Sequence, residues 1–264
     1  GDGKLPEKVE QVTGLVQDTT QSFCGNWENW TSFLTTASRL YKYPYEEQVM
    51  IYAQRPDATA CASYEVWNQR MGRYVRRGSK GIMLLSERQG TQTVRYVFDV
   101  ADTGARQFSR SPWVWRMTED NVAPVQAVLS REYGFLQENL PQQIAELSIQ
   151  LAEEGWENHR QDFENGLDGS LLEGYDDDNL AVRFRTVAAA SIAYSLYSRC
   201  GIDPSQHIDL QDTKAFEEFN TPDVLLALGK VVSESCETVL RQIEITIRSR
   251  ERERKQSERK TIDP

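Results

Sequence analysis

The sequence has little of the side-chain chemistry that metal and redox centres use. Its 264 residues include four cysteines and only two histidines, His159 and His207, which stand far apart. No cysteine lies within a few residues of another, so neither a zinc knuckle nor a redox pair is encoded locally. Isolated cysteines usually pack as small hydrophobic residues. We therefore expect no metal and no other cofactor.

Common catalytic motifs are also missing. The chain contains no HExxH, GxSxG, P-loop or GxGxxG pattern. His159 follows Glu153 and Glu154 at helical spacing, but a zinc site needs more protein ligands than this. The expectation is a non-catalytic protein without catalytic residues. A cryptic metal-dependent peptidase, with ligands or a Cys–His pair that meet only in the fold, stays open as an alternative.

Long apolar runs are absent as well. The longest apolar stretches, such as Val187–Tyr194, are far too short to span a bilayer. No charged segment followed by an apolar one opens the chain in the manner of a signal sequence. These features predict a cytoplasmic protein without a membrane partner.

The net charge of −10 hides two segments of opposite sign. Residues 67–116 hold ten Arg or Lys against three acids, a local balance of +7. Residues 117–247 hold 24 acids against eight bases, a balance of −16. Such asymmetry predicts a positive face that could meet nucleic acid and an acidic part that could meet a basic protein.

The hydrophobic period changes twice along the chain and predicts an α+β fold. A helical period over 27–41, 45–54 and 63–71 gives way to alternation in 74–100, with a hairpin turn near 88–91 and an edge strand at 113–115. After residue 117 the pattern is helical again, over 121–133, 141–160, 178–200 and 222–250. A small mixed domain of three helices and a short antiparallel sheet therefore precedes an all-helical domain.

These patterns also divide the chain. Residues 1–25 lack sustained periodicity and are expected to form a flexible lead-in with at most a short helix, and 26–117 form the mixed domain. Residues 118–247 form the helical domain. Residues 248–264 alternate Arg and Glu without apolar anchors, which is typical of a solvated helix end or a linker.

The densest candidate site is the segment 67–80. Basic side chains there alternate with aromatic ones and with flexible glycines. Single strands are held by basic grooves that follow the phosphates and by aromatic faces on which bases stack, without a sequence code. The alternative is that the aromatic residues belong to the core and the arginines solvate a turn. The predicted DNA-binding residues are Trp67, Arg70, Arg73, Tyr74, Arg76, Arg77, Lys80 and Arg95.

The residues from Trp30 to Leu85 carry a family resemblance. Trp30-x-x-Phe33-Leu34, Gln54-Arg55-Pro56-Asp57-Ala58 and Gly72-Arg73-x-Val75-Arg76-Arg77-Gly78-x-Lys80-Gly81-Ile82 resemble the N-terminal domain of ArdC-type antirestriction proteins. The chain is similar also to the N-terminal part of large helicase-like or methylase-like proteins of conjugative elements in Gram-positive gut bacteria. The resemblance implies a single-stranded DNA-binding domain of a mobile-element protein.

The second half resembles the zincin-like peptidase domain of the same family. The similar segments are Phe184–Tyr194 and Cys200–Ser205, which match the helix and turn that carry the third zinc ligand there. Where the family has two histidines and a glutamate on one helix, this chain offers only His159. The resemblance therefore implies a degenerate domain that supports the fold. As a further alternative, this acidic domain acts as a DNA mimic or antirestriction module that binds a basic protein.

Overall fold

The computed structural model describes residues 5–134 and 139–262 and has the predicted α+β class. Three helices and two small antiparallel sheets come first, and helices follow. The helices are α1 (Leu5–Phe23), α2 (Trp27–Arg39), α3 (Tyr45–Gln54), α4 (Glu119–Tyr133), α5 (Leu140–Asn165), α6 (Asp177–Cys200), α7 (Leu210–Ala215) and α8 (Pro222–Ile262). The strands are β1 (Cys61–Ser63), β2 (Arg73–Val75), β3 (Ile82–Arg88), β4 (Thr91–Asp99) and β5 (Thr103–Ala105). No helix in these ranges is both long enough and apolar enough to cross a membrane.

The predicted hairpin is formed by β3 and β4. Its two-residue turn places Gln89 at φ 53° and Gly90 at φ 75°, the left-handed backbone that matches the twist of paired strands. Strand β1 pairs with the other side of β4, which gives the order β1-β4-β3. The free edge of β3 is covered by Gln54, whose side-chain amide bonds to both the N–H and the C=O of Met83 at 2.8 Å. This contact protects the edge from pairing with another strand.

One large core joins helices from both sides of the predicted boundary at residue 117. Trp30 of α2 is fully buried, and its indole N–H donates to Ser191 Oγ of α6 at 3.0 Å. The ring of Trp30 also stacks on that of Phe216, with ring centroids 5.6 Å apart. A second, smaller core lies between α3 and the sheet and includes Ile51, Leu84 and Val97. Helix α2 therefore packs mainly on the helical body, whereas α3 packs against strand β3.

The prediction of a flexible lead-in is wrong for residues 5–23, which form α1. Phe23 at the end of this helix is fully buried against Phe33, with ring centroids 5.0 Å apart. Val12 is buried as well, so the helix is fixed by tertiary packing. Residues 1–4 lie outside the described residues.

The predicted edge strand at Trp113–Trp115 is also wrong. This segment has no regular structure and is held by side chains from distant helices. The indole N–H of Trp115 donates to Tyr41 Oη at 3.0 Å, and that of Trp113 donates to Glu251 Oε2 at 2.6 Å. These partners lie 74 and 138 residues away in sequence, so no local pattern could indicate them.

The helix predictions for the second half are confirmed with small shifts at the ends. Helix α6 ends at Gly201, which takes the left-handed conformation at φ 73°. Asp176 caps its start by accepting from the N–H of Asn179. Thr221, the residue before α8, has a buried hydroxyl without a hydrogen-bond partner in the described part of the chain. Helix α8 continues as an exposed, charged helix to Ile262, as expected of a solvated helix end. Residues 263–264 of that segment lie outside the described residues.

Two buried thiols predict a loss of stability at alkaline pH. Burial raises the pKa of Cys200 and of Cys236 from 9.0 to about 12. The folded state thus holds these protons more tightly than the unfolded chain, so the stabilisation is complete below pH 9 and is lost as the pH rises towards 12. We expect these two thiols to account for about 3 kcal/mol of the fall in the free energy of unfolding, measured with urea, between pH 8 and pH 10.

The matched control is the double variant Cys200→Ala/Cys236→Ala. It starts from a lower stability at pH 8 but should lose about 3 kcal/mol less than the natural chain between pH 8 and pH 10. Cys61 and the buried tyrosines, whose pKa values burial also raises, contribute to the loss equally in both proteins. An equal loss in both proteins would show that the thiols do not cause the alkaline sensitivity.

Candidate nucleic-acid interface

A two-stranded ribbon forms the base of the candidate interface. Strand β2 pairs antiparallel with β5, and Tyr74 faces Gly104 in the register. Arg73 strengthens the ribbon from the side, because its Nε donates to Thr103 Oγ1 at 2.9 Å. The pairing extends past the strand through the N–H of Arg76, which donates to the C=O of Asp102 at 2.8 Å. The ribbon fixes the basic segment identified in the sequence against residues some 30 positions further along.

A basic loop folds back beside this ribbon. The N–H of Ser109 donates to the C=O of Arg106 at 2.9 Å, and the N–H of Arg110 donates to the C=O of Met71 at 2.7 Å. The loop lies so close to Gly72 that a Cβ there would be 3.3 Å from the Cα of Ser109. Gly72 also has φ +61°, a left-handed backbone conformation that favours glycine. The close approach of the loop and this backbone conformation both disfavour a larger residue. The fold thereby brings the arginines of 70–77 next to those of 106–110.

Trp67 does not belong to this surface, and its predicted role in base stacking is wrong. The side chain is 2% exposed, and its indole N–H donates to the C=O of Phe98 at 2.9 Å. It anchors the single π-helical turn Val66–Arg70 to strand β4. Stacking requires an open ring face, so the alternative reading of Trp67 as a core residue is the correct one.

Tyr74 is exposed, as the prediction requires. Its side chain is 42% exposed, and its ring lies directly over Gly104 of the neighbouring strand. The guanidinium of Arg106 lies 6.0 Å from the centre of the same ring. Tyr74 thus presents an aromatic surface at the centre of the ribbon, with a cation beside it.

Phe108 is an aromatic residue that the sequence reasoning missed. It is 92% exposed at the tip of the basic loop and has φ +64°. Few residues other than glycine take this backbone conformation, and exposing a phenyl ring to water forgoes about 1.5–3 kcal/mol of burial free energy. The sequence Arg106-Gln107-Phe108-Ser109-Arg110 carries the signal, because it places an aromatic ring between two cations in a loop.

The arginines of this surface keep their charge available. Arg76 and Arg106 bond only to neutral acceptors, the C=O of Ala101 and Oδ1 of Asn68, each at 2.6 Å. Arg70 and Arg77 are exposed and form no hydrogen bond or ion pair within the described residues. The nearby carboxylate of Asp102 is already paired with a different arginine, Arg55, at 2.6 Å.

We call this surface the basic–aromatic patch. It combines six uncompensated cations with two exposed rings on one ribbon and its adjoining loop. Its members are Arg70, Arg73, Tyr74, Arg76, Arg77, Arg106, Phe108 and Arg110.

Two predicted residues lie outside the patch. Arg95 is held by Glu47, to whose two carboxylate oxygens its Nη2 donates at 2.7 Å each, so its charge is compensated. Arg95 is therefore removed from the predicted DNA-binding residues. Lys80 is exposed but lines a groove of about 400 Å³ between α1 and β3, together with Lys8 and Tyr96. None of the patch residues lines that groove.

Of the segments that resemble a peptidase domain, Phe184–Tyr194 packs in the hydrophobic core, whereas residues 201–205 are exposed or half-buried. Phe184 is fully buried, with its ring centroid 4.7 Å from that of Phe163. His159 contacts Glu234, with Nε2 3.0 Å from the carboxylate. Within residues 5–134 and 139–262, no group of three or more His, Cys, Asp or Glu side chains is placed to hold a metal ion.

Comparison of the chain with protein-family models, with curated proteins and with solved structures found no match. The resemblance to ArdC-type proteins therefore rests on the sequence motifs alone.

Proposed function

We propose that the protein binds single-stranded DNA through the basic–aromatic patch, with little preference for base sequence, as a non-catalytic part of a mobile-element protein. The observation that carries the proposal is that two exposed rings, Phe108 and Tyr74, lie beside uncompensated arginines on one ribbon and its adjoining loop. Exposed aromatic rings can stack on bases, and the cations beside them favour an anionic polymer.

The shape of the patch favours single strands over duplexes. A ring at a loop tip can stack on an unpaired base, whereas the bases of a duplex already stack on one another. Duplex readers commonly place a helix or a ribbon in the major groove, with polar side chains aimed at base edges. The two exposed aromatic faces distinguish the patch, because they can stack on unpaired bases while the arginines contact phosphates.

Fluorescence anisotropy with a labelled oligothymidine of about 20 nucleotides tests the proposal. If four phosphates are neutralised, the slope of log affinity against log salt is about −2.8. A rise in salt from 50 to 200 mM should then weaken binding about 50-fold. The proposal fails if the protein does not bind at 50 mM salt, or if it binds a duplex of equal length as tightly.

Replacing Phe108 with alanine should remove one stacked base. We expect Phe108→Ala to weaken binding by about 5-fold to 150-fold, the equivalent of 1–3 kcal/mol. The unfolding midpoint should not fall, because the side chain is almost fully exposed in the folded protein. Anisotropy titrations of Phe108→Ala and of the conservative Phe108→Tyr, which keeps the ring, measure the effect.

A matched control is Leu210→Ala, which removes a 77% exposed apolar side chain from helix α7. It should leave DNA binding unchanged. Equal losses in Phe108→Ala and Leu210→Ala, or no loss in either, would remove Phe108 from the interface.

A further inference from the structure

A second cationic site lies in a cleft at the free edge of β1. Strand β1 is an outer strand of its sheet, and the cleft of about 150 Å³ opens along it. One water molecule needs roughly 15 Å³ measured in the same way, so the cleft has room for a larger polar group. Its walls come from residues 39–43, 59–61 and 113–115, and Arg199 and Glu244 complete it. We call it the arginine cleft.

Arg199 is partly buried in this cleft without an acidic partner. Its guanidinium lies 3.6 Å from the ring centre of Trp115, and its Nη2 donates to the C=O of the same residue at 2.8 Å. No carboxylate of the described residues lies within ion-pair distance of it. Burial lowers the pKa of Arg199; the nearby charge of Glu244 raises it, and that of Arg39 lowers it. Arg39 and Arg199 both line the cleft.

Arg39 is held in the same way by neutral groups. Its Nε donates to the C=O of Ala58 at 3.0 Å, and burial lowers its pKa. The carboxylates of Asp57 and Asp99 oppose that shift from beyond ion-pair distance. Asp99 is itself occupied, because its oxygens accept the backbone N–H groups of Thr59, Ala60 and Ala101.

The cleft therefore carries an excess of positive charge. Its third cation, Lys42, is paired with Glu244 at 2.8 Å, so three cations face one carboxylate. The cleft therefore has a net charge of +2 in partly desolvated surroundings, where a cation is normally paired with an anion. A phosphate monoester carries a charge of about −1.5 to −2 at pH 7, and the planar guanidinium group matches phosphate oxygens in pairs. A phosphodiester, with a single charge, would leave the cleft undercompensated.

The cleft lies close to the basic–aromatic patch along the chain. Arg110 belongs to the patch and Trp113 to the cleft, and three extended residues span at most about 11 Å. That length equals about three stacked nucleotides at 3.4 Å each. Tyr43 and Trp113 add aromatic walls to the cleft, against which a nucleoside can pack.

We propose that the arginine cleft binds the phosphate monoester of a nucleotide, with Arg39 and Arg199 as its ligands. The strand on the patch presents such a group at a phosphorylated end, and a free nucleoside monophosphate presents it as well. Binding of a phosphorylated strand end rests on the proposed function, whereas binding of a free nucleoside monophosphate does not.

Three labelled oligothymidines of equal length test the site in the intact chain: one with a 5′-phosphate, one with a 3′-phosphate and one with hydroxyl ends. We expect one phosphorylated oligonucleotide to bind about tenfold more tightly than the hydroxyl-ended one. Its advantage should shrink as the pH falls below about 6, where the monoester loses its second charge. A folding defect cannot produce that pH profile, because it acts on all three ligands.

Two variants assign the effect to the cleft. Arg199→Gln and Arg39→Gln should each abolish the advantage of the phosphorylated end and leave the affinity of the hydroxyl-ended strand unchanged. Arg39→Lys, which keeps the charge, should retain part of the advantage. An advantage that survives both Gln variants would overturn the site.

Thymidine 5′-monophosphate and thymidine distinguish the two sources. A rise in the unfolding midpoint with the monophosphate and not with thymidine supports the site. If that rise comes without any preference among the oligonucleotides, the ligand is the free nucleotide. No rise and no preference would overturn the proposal. If the protein bound the monophosphate but none of the oligonucleotides, the proposed function would fail while the cleft assignment stood.

Discussion

The triple variant Arg70→Gln/Arg77→Gln/Arg110→Gln should bind single-stranded DNA at least about 100-fold more weakly than the natural chain at 100 mM salt. Each side chain is exposed and none is paired with a carboxylate in the described part of the chain. A charge-assisted contact contributes about 1.5 kcal/mol or more, so three of them account for the factor. The slope of log affinity against log salt should become shallower by about 2.

The matched control removes three arginines of the same kind from the end of α8. Arg250, Arg252 and Arg259 are exposed there, and their replacement by glutamine changes the net charge by the same amount. The control variant should keep most of the affinity. Equal losses in the two variants would mean that binding follows overall charge and not the patch. Circular dichroism and the unfolding midpoint confirm that both variants fold.

The second large effect concerns stability. Trp30→Ala should lower the free energy of unfolding by about 3–5 kcal/mol, because it removes a fully buried indole from the main core. The total stability of a domain is about 5–15 kcal/mol, so the loss removes a large share of it. Urea unfolding, monitored in parallel by far-ultraviolet circular dichroism and by DNA binding, measures the change.

The same experiment tests whether the two halves form one cooperative unit. Trp30 lies in the predicted mixed domain, yet it packs on Phe216 and Ser191 of the helical part. The account predicts a single transition in which helicity and DNA binding are lost together. Trp30→Phe keeps an aromatic ring but leaves Ser191 Oγ without its donor, and should cost about 1–3 kcal/mol. Loss of DNA binding at a lower urea concentration than loss of helicity would contradict the shared core.

Local sequence patterns correctly predicted the helices and strands whose structure is determined by their own residues. The apolar positions of α6 recur at helical spacing, and Gly201 ends the helix by its left-handed backbone. The alternating residues of β3 and β4 predicted the hairpin and its turn. In these elements the sequence period and the tertiary burial agree, which is the condition under which such predictions succeed.

Elements fixed by distant contacts were missed. Helix α1 is held by the packing of Phe23, and the segment 113–115 is held by Tyr41, Arg199 and Glu251. Composition likewise could not separate Trp67, which is buried, from Tyr74, which is exposed. The basic segment was found because its charge is local. Phe108 was missed because its exposure depends on how the 106–110 loop folds onto Gly72.

The central claim is that a single strand lies on the basic–aromatic patch. Photo-cross-linking with an oligothymidine that carries 5-iodouracil at successive positions, followed by mass spectrometry of the linked peptides, tests it most directly. The account predicts links at Phe108 and Tyr74, the two rings exposed beside the unpaired arginines. Links confined to α4–α8, or binding without any link in residues 70–110, would contradict it.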